Sequence, residues 1–149
     1  MTALKRTQPY YFADVATSQG KARFVVIADD SWDAAQAGWL SSTLADADAH
    51  ARYTVVARHH PVQGTRTGAA EILSILQQHK YTLLLTAHNH DYEHDVSTWS
   101  GRSTVVGLGG AGGRWGIGTV LQNLDGTLTF VERDANGNPI GTPWSVSPQ

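Results

Sequence analysis

Residues 53–61 read YTVVARHHP, and this stretch decides how the rest of the chain is interpreted. Tyr53–Arg58 is a short, mostly apolar run that contains β-branched residues, a composition that predicts a central β-strand. Two histidines and a proline follow it directly, so the strand is expected to end at His59-His60-Pro61. The sequence therefore places two imidazoles at the carboxyl end of one strand.

Residues 81–90, YTLLLTAHNH, repeat this arrangement. Tyr81–Thr86 is a continuous apolar run, which is typical of a strand buried on both faces. His88 and His90 follow its end as an H-x-H pair, and such a pair is expected to point both rings to the same side. Binding sites in α/β sheets form just beyond the carboxyl ends of strands, so neighbouring strands would bring these imidazoles together. The pattern suits one metal ion or two adjacent ones.

The segments around these two strands indicate α/β layering. On the N-terminal side, Tyr10–Val15 and Ala22–Ala28 are β-rich runs separated by a turn signal, and they predict a hairpin. One helix is expected from a Ser31 cap to about Ala49, and a second over Gly68–His79. The resulting order of strand, helix, strand, helix and strand favours an α/β fold.

The C-terminal third has a different character. Asp125-Gly126 and Asn136-Gly137 are strong hairpin signals, and they indicate antiparallel strands. The predicted short strands are Ser103–Leu108, Thr119–Leu124, Leu128–Glu132 and Pro139–Ser145. With 149 residues, the chain is expected to form a single domain.

Composition excludes several classes of function. The net charge of -2 provides no basic surface for nucleic acid and no polybasic segment for anionic lipid. The longest apolar runs are too short to span a bilayer. We therefore expect a soluble chain, exported only if a full-length form has an upstream signal. There are no cysteines, so any metal must be held by imidazole and oxygen, which suits Zn, Fe, Mn or Co.

Four blocks, in order, resemble the calcineurin-like metallophosphoesterases, notably the purple acid phosphatase branch. TAHNHDYEH at 86–94 is similar to the family's G-H-x-H-x-Y-E-R block, and VVARHHP at 55–61 resembles its H-H-P strand end. PYYFADV at 9–15 with FVVIAD at 24–29 resembles the strand pair of the family, and QAGWL at 36–40 resembles its Q-x-x-W-L helix. Ala87 stands in place of the family glycine, and His94 in place of the arginine.

The resemblance implies a single partial domain over residues 1–149, the C-terminal half of a metallophosphoesterase-type β-sandwich flanked by helices. By motif position, His59 and His88 would bind one metal ion and His90 the other, from a pair of Fe, Zn or Mn ions. His60 would lie behind the ligands or face the substrate, a phosphate mono- or diester. Arg114, in the loop after the G-x-G-x-x-G stretch at 107–112, is a candidate phosphate contact.

The N-terminal family blocks D-x-H, G-D and G-N-H-D/E supply the bridging carboxylate and other ligands. Here Asp29-Asp30-Ser31 lacks the histidine of D-x-H, and no G-D or G-N-H occurs. Three neutral imidazoles cannot balance two divalent cations, so we expect weak or single-metal binding and negligible phosphatase activity from the chain alone. The partner would be a missing N-terminal half or a second copy, docked on an uncovered sheet edge or apolar face.

Two alternatives remain open. The chain could be a non-catalytic structural or interaction fragment of such an enzyme. It could also be a metallo-β-lactamase-type hydrolase, although Asp91 comes one place too early and His94 one place too late for H-x-H-x-D-H. The G-x-G-x-x-G stretch is not a dinucleotide site because no helix follows it. His50 and His79 lie at predicted helix ends and are expected to be structural.

Overall fold

The computed structural model describes residues 6–62, 65–90, 93–97, 103–107 and 116–149. Within these residues the fold is mixed α/β, with two helices and two sheets. The helices are α1 (Ala34–His50) and α2 (Ala69–Gln78). The strands are β1 (Tyr11–Thr17), β2 (Gly20–Val26), β3 (Tyr53–Ala57), β4 (Leu83–Thr86), β5 (Glu93–Ser97), β6 (Ser103–Gly107), β7 (Ile117–Gln122), β8 (Leu128–Arg133) and β9 (Pro139–Val146).

The larger sheet has the strand order β1-β2-β3-β4-β6-β5. Its four central strands are parallel, and the two outer strands pair antiparallel to their neighbours. The two strands that precede the histidines, β3 and β4, are adjacent, with Val55 opposite Leu83 and Ala57 opposite Leu85. Parallel neighbours end at the same edge of the sheet, so this pairing puts both histidine segments at one edge.

One face of this sheet is covered by the two helices. Val25, Val56 and Leu84, from three adjacent strands, pack against helical side chains that include Leu40 and Ile72, and all five are fully buried. Ala37, Leu40 and Leu44 form a buried stripe at helical spacing along α1. The core therefore lies directly beneath the strand ends that carry the histidines.

The opposite face is covered by the three-stranded antiparallel sheet β7-β8-β9. Phe130 packs against Val55 and Leu83, while Leu128 packs against Ala22 and Tyr53. The predicted hairpins of this sheet are confirmed. Their turns contain Gly126 and Gly137 at φ 87° and 83°, a region that glycine adopts without strain.

Two sequence predictions about these elements were wrong in detail, and one strand was missed. Asp33, and not Ser31, caps α1, since the Asp33 side chain accepts a hydrogen bond from the Gln36 N–H at 2.7 Å. Ser31 instead ends a short 3-10 turn over Asp29–Ser31. Strand β6 belongs to the larger sheet, parallel to β4, and β5 was not predicted. A short strand pattern contains no information about which sheet the strand joins.

The side of the sandwich formed by β1, β2 and β7 is open. Phe24 and Val15, on the face of the larger sheet that points to the smaller one, are 41% and 47% exposed. A cavity of about 210 Å³ lies between the sheets here, lined mainly by apolar groups of Phe24, Tyr53, Val55 and Val120. Docking of a missing half or a second copy on this apolar surface stays a prediction. Neither described helix has the length and apolar composition needed to cross a membrane.

Candidate metal centre

Backbone hydrogen bonds hold the two histidine segments side by side beyond the ends of β3 and β4. The Arg58 N–H donates to the carbonyl of Leu85 at 3.0 Å, and the Ala87 N–H donates to the carbonyl of His59 at 2.9 Å. The pairing of the strands thus continues to the histidines themselves. The register of the parallel ladder, which the core fixes, places these imidazoles relative to one another.

Three imidazoles meet at this edge. His88 Nδ1 lies 3.4 Å from His59 Nε2. The His60 ring centroid lies 4.2 Å from that of His88 and 4.7 Å from that of His59. One ring nitrogen from each of the three residues lies within 4.8 Å of the other two. Residues 29 positions apart in the chain therefore form one potential metal-binding group.

Some of the site residues predicted from the sequence belong to this group, and others do not. His59 and His88 meet as the sequence predicts. His60, predicted to lie behind the ligands or face the substrate, is a member of the group itself. His90 is exposed and is not one of the three. Arg114 lies outside the described residues, so its assignment is untouched, and the metal-binding roles stay predictions.

The backbone explains why His90 separates from His88. Both residues have positive φ, 75° at His88 and 57° at His90, so the alternation of side chains along an extended strand does not apply to this pair. Non-glycine residues in this region cost on the order of 1 kcal/mol or more and cluster at functional sites. Ala87, which replaces the family glycine, is not among the residues with positive φ, so its Cβ causes no such strain.

Asp29, just past the end of β2, fixes the orientation of His60, a role that was not predicted from the sequence. Its Oδ2 accepts hydrogen bonds from the His60 backbone N–H at 2.7 Å and from His60 Nδ1 at 2.9 Å. Its Oδ1 lies 2.8 Å from Nε of Arg58, whose side chain is fully buried. Burial lowers the pKa of Arg58, and the Asp29 carboxylate opposes this effect. The carboxylate thus joins a buried cation to an imidazole.

These contacts determine which nitrogen of His60 can bind a metal. A carboxylate only accepts hydrogen bonds, so Nδ1 is the donor, and in the neutral ring the lone pair is at Nε2. Nε2 is buried, and it has no hydrogen-bond partner within the described parts of the chain. His60 as a whole is 6% exposed. A buried acceptor without a partner is unfavourable, and a bound cation would satisfy it.

The third ring, His88, is electrostatically suited to stay neutral. Desolvation lowers its pKa below the usual value, and repulsion from His60 and His59 lowers the pKa further. The Arg66 guanidinium and His90 act in the same direction. Because a metal binds the neutral imidazole, this shift keeps His88 available as a ligand at neutral pH.

The residues present fit a borderline-soft divalent ion. Two nitrogens that bind the same tetrahedral ion, each at about 2.0–2.1 Å from it, lie about 3.3–3.4 Å apart. This spacing matches the separation of the His59 and His88 nitrogens. Imidazole ligands suit Zn, Cu, Fe or Ni, whereas Mg and Ca prefer oxygen. Among the residues that the structure describes, the group contains only imidazoles and no carboxylate.

The remaining described histidines have other environments. His50 ends α1 and contacts Asp46, and His79 caps α2 and contacts Asp48, so both lie at helix C-termini as predicted. Asp48-Ala49-His50 has the letters of D-x-H, but it lies on α1 and does not belong to the group. His94 stacks on Trp144 with ring centroids 4.0 Å apart, and it too lies outside the group.

No family model matches the chain, and no curated protein matches it in sequence. The resemblance to metallophosphoesterases therefore rests on the four sequence blocks, and any function must be argued from the geometry of the site.

Proposed function

We propose that the chain provides the imidazole part of a divalent-metal centre in a metallophosphoesterase-type hydrolase of phosphate mono- or diesters. The main supporting observation is the contact between two histidine segments at the ends of adjacent parallel strands, with His88 Nδ1 and His59 Nε2 3.4 Å apart. The proposal also includes the finer fold assignment, in which the two described sheets form the C-terminal half of a metallophosphoesterase-type sandwich.

In this proposal the chain's own residues hold and orient the metal. A bound ion would act as a Lewis acid toward a phosphoryl oxygen and would lower the pKa of a coordinated water. Because imidazole is a neutral ligand, three of them would leave the charge of the ion uncompensated, which favours an anionic ligand such as a phosphate ester. Arg66 lowers the pKa of His88 through its positive charge, and this charge would also favour an anionic ligand.

Ligand counting limits the activity expected of these 149 residues. A two-metal mechanism needs a bridging carboxylate, and the described imidazole group contains none. We therefore propose that full phosphoesterase activity needs carboxylate ligands from another segment or another chain. The isolated chain would bind metal but turn over substrate slowly or not at all.

Metal titration combined with a phosphatase assay tests this proposal. The purified chain is titrated with Zn, Mn or Fe, and hydrolysis of p-nitrophenyl phosphate is followed with each metal. We expect metal binding that is lost in His59→Ala and His88→Ala and retained in the control His79→Ala, whose ring pairs with Asp48. Absence of metal binding by the unmodified chain would contradict the proposal.

The open side of the sandwich favours a second candidate, a structural or interaction role. Phe24 and Val15 are exposed beside an apolar cavity of about 210 Å³, and such surfaces mark contact sites. Light scattering separates the two candidates when it is combined with metal analysis. Association that Phe24→Ser weakens, together with no metal binding, would favour the interaction role over the hydrolase.

A further inference from the structure

We propose that His60 is a direct ligand, positioned by Asp29, and that the chain alone forms a three-imidazole site for one metal ion. This inference deepens the proposed function and rests on its metal site. It differs from the assignment that the resemblance implies, in which His60 binds no metal and His90 binds a second one.

The hydrogen bonds of Asp29 restrict both the rotation and the tautomer of the His60 ring. One carboxylate oxygen accepts from the ring at Nδ1 and from the backbone N–H of the same residue. Two contacts to one acceptor fix the side chain relative to its own backbone. Because Nδ1 is the donor, the lone pair at Nε2 is directed to the opposite side of the ring.

The other two imidazoles lie close to the His60 ring, with one ring nitrogen from each residue within 4.8 Å of the others. The His60 ring is tilted by 45° against the His88 ring and is perpendicular to the His59 ring. Buried Nε2 has no hydrogen-bond partner in the described ranges, although most buried polar atoms in proteins have one. An ion between the three rings would satisfy this nitrogen together with His59 and His88.

Arg58 explains why the carboxylate does not join the ligands itself. Its Nε contacts Oδ1 of Asp29, while the histidine occupies Oδ2, so both oxygens are engaged. The fully buried guanidinium depends on Asp29 for charge compensation. The carboxylate is therefore held behind His60, where it can orient the ring.

The arrangement has consequences for stoichiometry and metal preference. Three imidazoles and one open position are typical of a mononuclear zinc site that can accept a further ligand. We therefore expect one equivalent of Zn or Co per chain, and much weaker binding of Mn and Mg, which prefer oxygen ligands. The open position would take an anion, and inorganic phosphate is the simplest probe of it.

The test measures the affinity for zinc and the visible spectrum of the cobalt-loaded protein in four variants. His60→Ala removes the ligand and leaves the Asp29–Arg58 pair intact, so the fold is kept. Asp29→Asn removes the orienting charge. Asp48→Asn is a matched control, because Asp48 makes the same kind of contact to His79, at 2.9 Å, and to a backbone N–H, at 2.7 Å. His90→Ala tests the assignment implied by the resemblance.

We expect one equivalent of zinc, bound on the order of 100-fold more weakly by His60→Ala and about 10–100-fold more weakly by Asp29→Asn. The cobalt spectrum should change in both variants, and it should not change in Asp48→Asn or His90→Ala. Circular dichroism and thermal unfolding verify that each variant is folded. The cobalt spectrum is the readout that a purely structural role of Asp29 would leave unchanged.

Other outcomes overturn the inference in distinguishable ways. If His59→Ala and His88→Ala abolish binding while His60→Ala binds normally, the inference fails and the metal site of the proposed function stands. If His60→Ala weakens binding and folded Asp29→Asn does not, the positioning role fails. Two equivalents of bound zinc would contradict a mononuclear site. No binding by the unmodified chain would overturn the proposed function as well.

Discussion

Two carboxylate–histidine pairs in this chain have nearly identical local geometry. In one, Asp29 Oδ2 lies 2.9 Å from His60 Nδ1, and in the other, Asp48 Oδ2 lies 2.9 Å from His79 Nδ1. Each carboxylate also accepts a backbone N–H at 2.7 Å, from His60 itself and from Lys80. The residues in each pair are 31 positions apart. The contact within the pair does not distinguish them.

Their surroundings differ. The His60 and Asp29 side chains are 7% and 5% exposed, next to two further imidazoles and a buried arginine. The His79 and Asp48 side chains are 13% and 26% exposed, where the C-terminal ends of the two helices approach. In the proposed metal site the first pair orients a ligand nitrogen, whereas the second pair connects two helices. The environment of the second ring nitrogen, not the carboxylate contact, determines the role.

The largest difference between the two pairs is expected in stability. Asp29→Ala leaves the buried Arg58 guanidinium uncompensated and should lower the free energy of unfolding by about 3–5 kcal/mol. Asp48→Ala breaks a partly exposed pair and should cost about 1 kcal/mol or less. Urea denaturation of the metal-free variants measures both. Equal losses in the two variants would mean that the burial of Arg58 does not make Asp29 more important for stability than Asp48.

A double substitution provides the control for this prediction. Asp29→Leu combined with Arg58→Met removes both charges at once, so it should recover most of the stability that Asp29→Ala loses. If the double variant is as unstable as the single one, packing around Asp29, and not its charge, holds this region together.

The second difference is in the response to metal. Zinc at about 100 times its dissociation constant should raise the free energy of unfolding by about 2.7 kcal/mol, because it binds the folded state. We expect this gain in the unmodified chain and in His79→Ala, and little of it in His60→Ala. Thermal unfolding with zinc and with a chelator measures the effect. If His79→Ala removes the stabilisation by zinc, the ion binds at the Asp48–His79 pair, and the proposed site is wrong.

A third carboxylate, Asp14, pairs with an arginine instead of a histidine. Its effect on stability therefore shows what charge pairing contributes without an imidazole. Its contacts to Arg23, at 2.7 and 2.8 Å, lower the pKa of Asp14 to about 2, and the side chain is 30% exposed. Because the pKa is lowered in the folded state, the pair stabilises the protein above the unfolded value of 3.8, and the stabilisation is lost as the pH falls through about 2. Solvent screening limits it to about 1 kcal/mol.

Urea denaturation of Asp14→Asn and the unmodified chain, at pH values from 7 down to 3, tests this point. The difference in the free energy of unfolding should be largest near neutral pH and should decrease once the pH falls below about 4. A difference that does not change with pH would show that Asp14 acts by packing or by a neutral hydrogen bond.

The smallest effect is expected at His79 itself. Replacing it with asparagine removes one partly exposed contact to Asp48, and the backbone N–H of Lys80 keeps that carboxylate in place. We expect a loss of about 0.5 kcal/mol in the free energy of unfolding and no change in zinc affinity. A loss above about 2 kcal/mol in the free energy of unfolding would mean that this contact stabilises the protein more than a partly exposed contact between helix ends does.

Features that depend on local sequence patterns could be predicted from the sequence. The apolar runs before His59 and His88 predicted two strands, and the C-terminal hairpins followed from Asp125-Gly126 and Asn136-Gly137. Because β3 and β4 are parallel neighbours, the histidines at their ends converge. These results require only the periodicity of strands and turns and the rule that parallel strands end at one edge.

Other features depend on long-range contacts that no local pattern encodes. The orientation of His60 is determined by Asp29, on a different strand end, and the contact exists because β2 is next to β3 in the sheet. The separation of His90 from the group follows from the positive φ of both histidines in the H-x-H pair. Strand β6 joins the larger sheet through its pairing with β4, although its sequence suits either sheet.

X-ray absorption at the zinc edge, on the chain loaded with one equivalent of zinc, shows whether three imidazoles bind one ion. We expect zinc to be retained through gel filtration, with a first shell about 2.0–2.1 Å from the ion and scattering from three imidazoles. His60→Ala should reduce that number to two. Zinc that is lost on the column, or a shell of oxygen atoms with no imidazole scattering, would contradict a three-imidazole site.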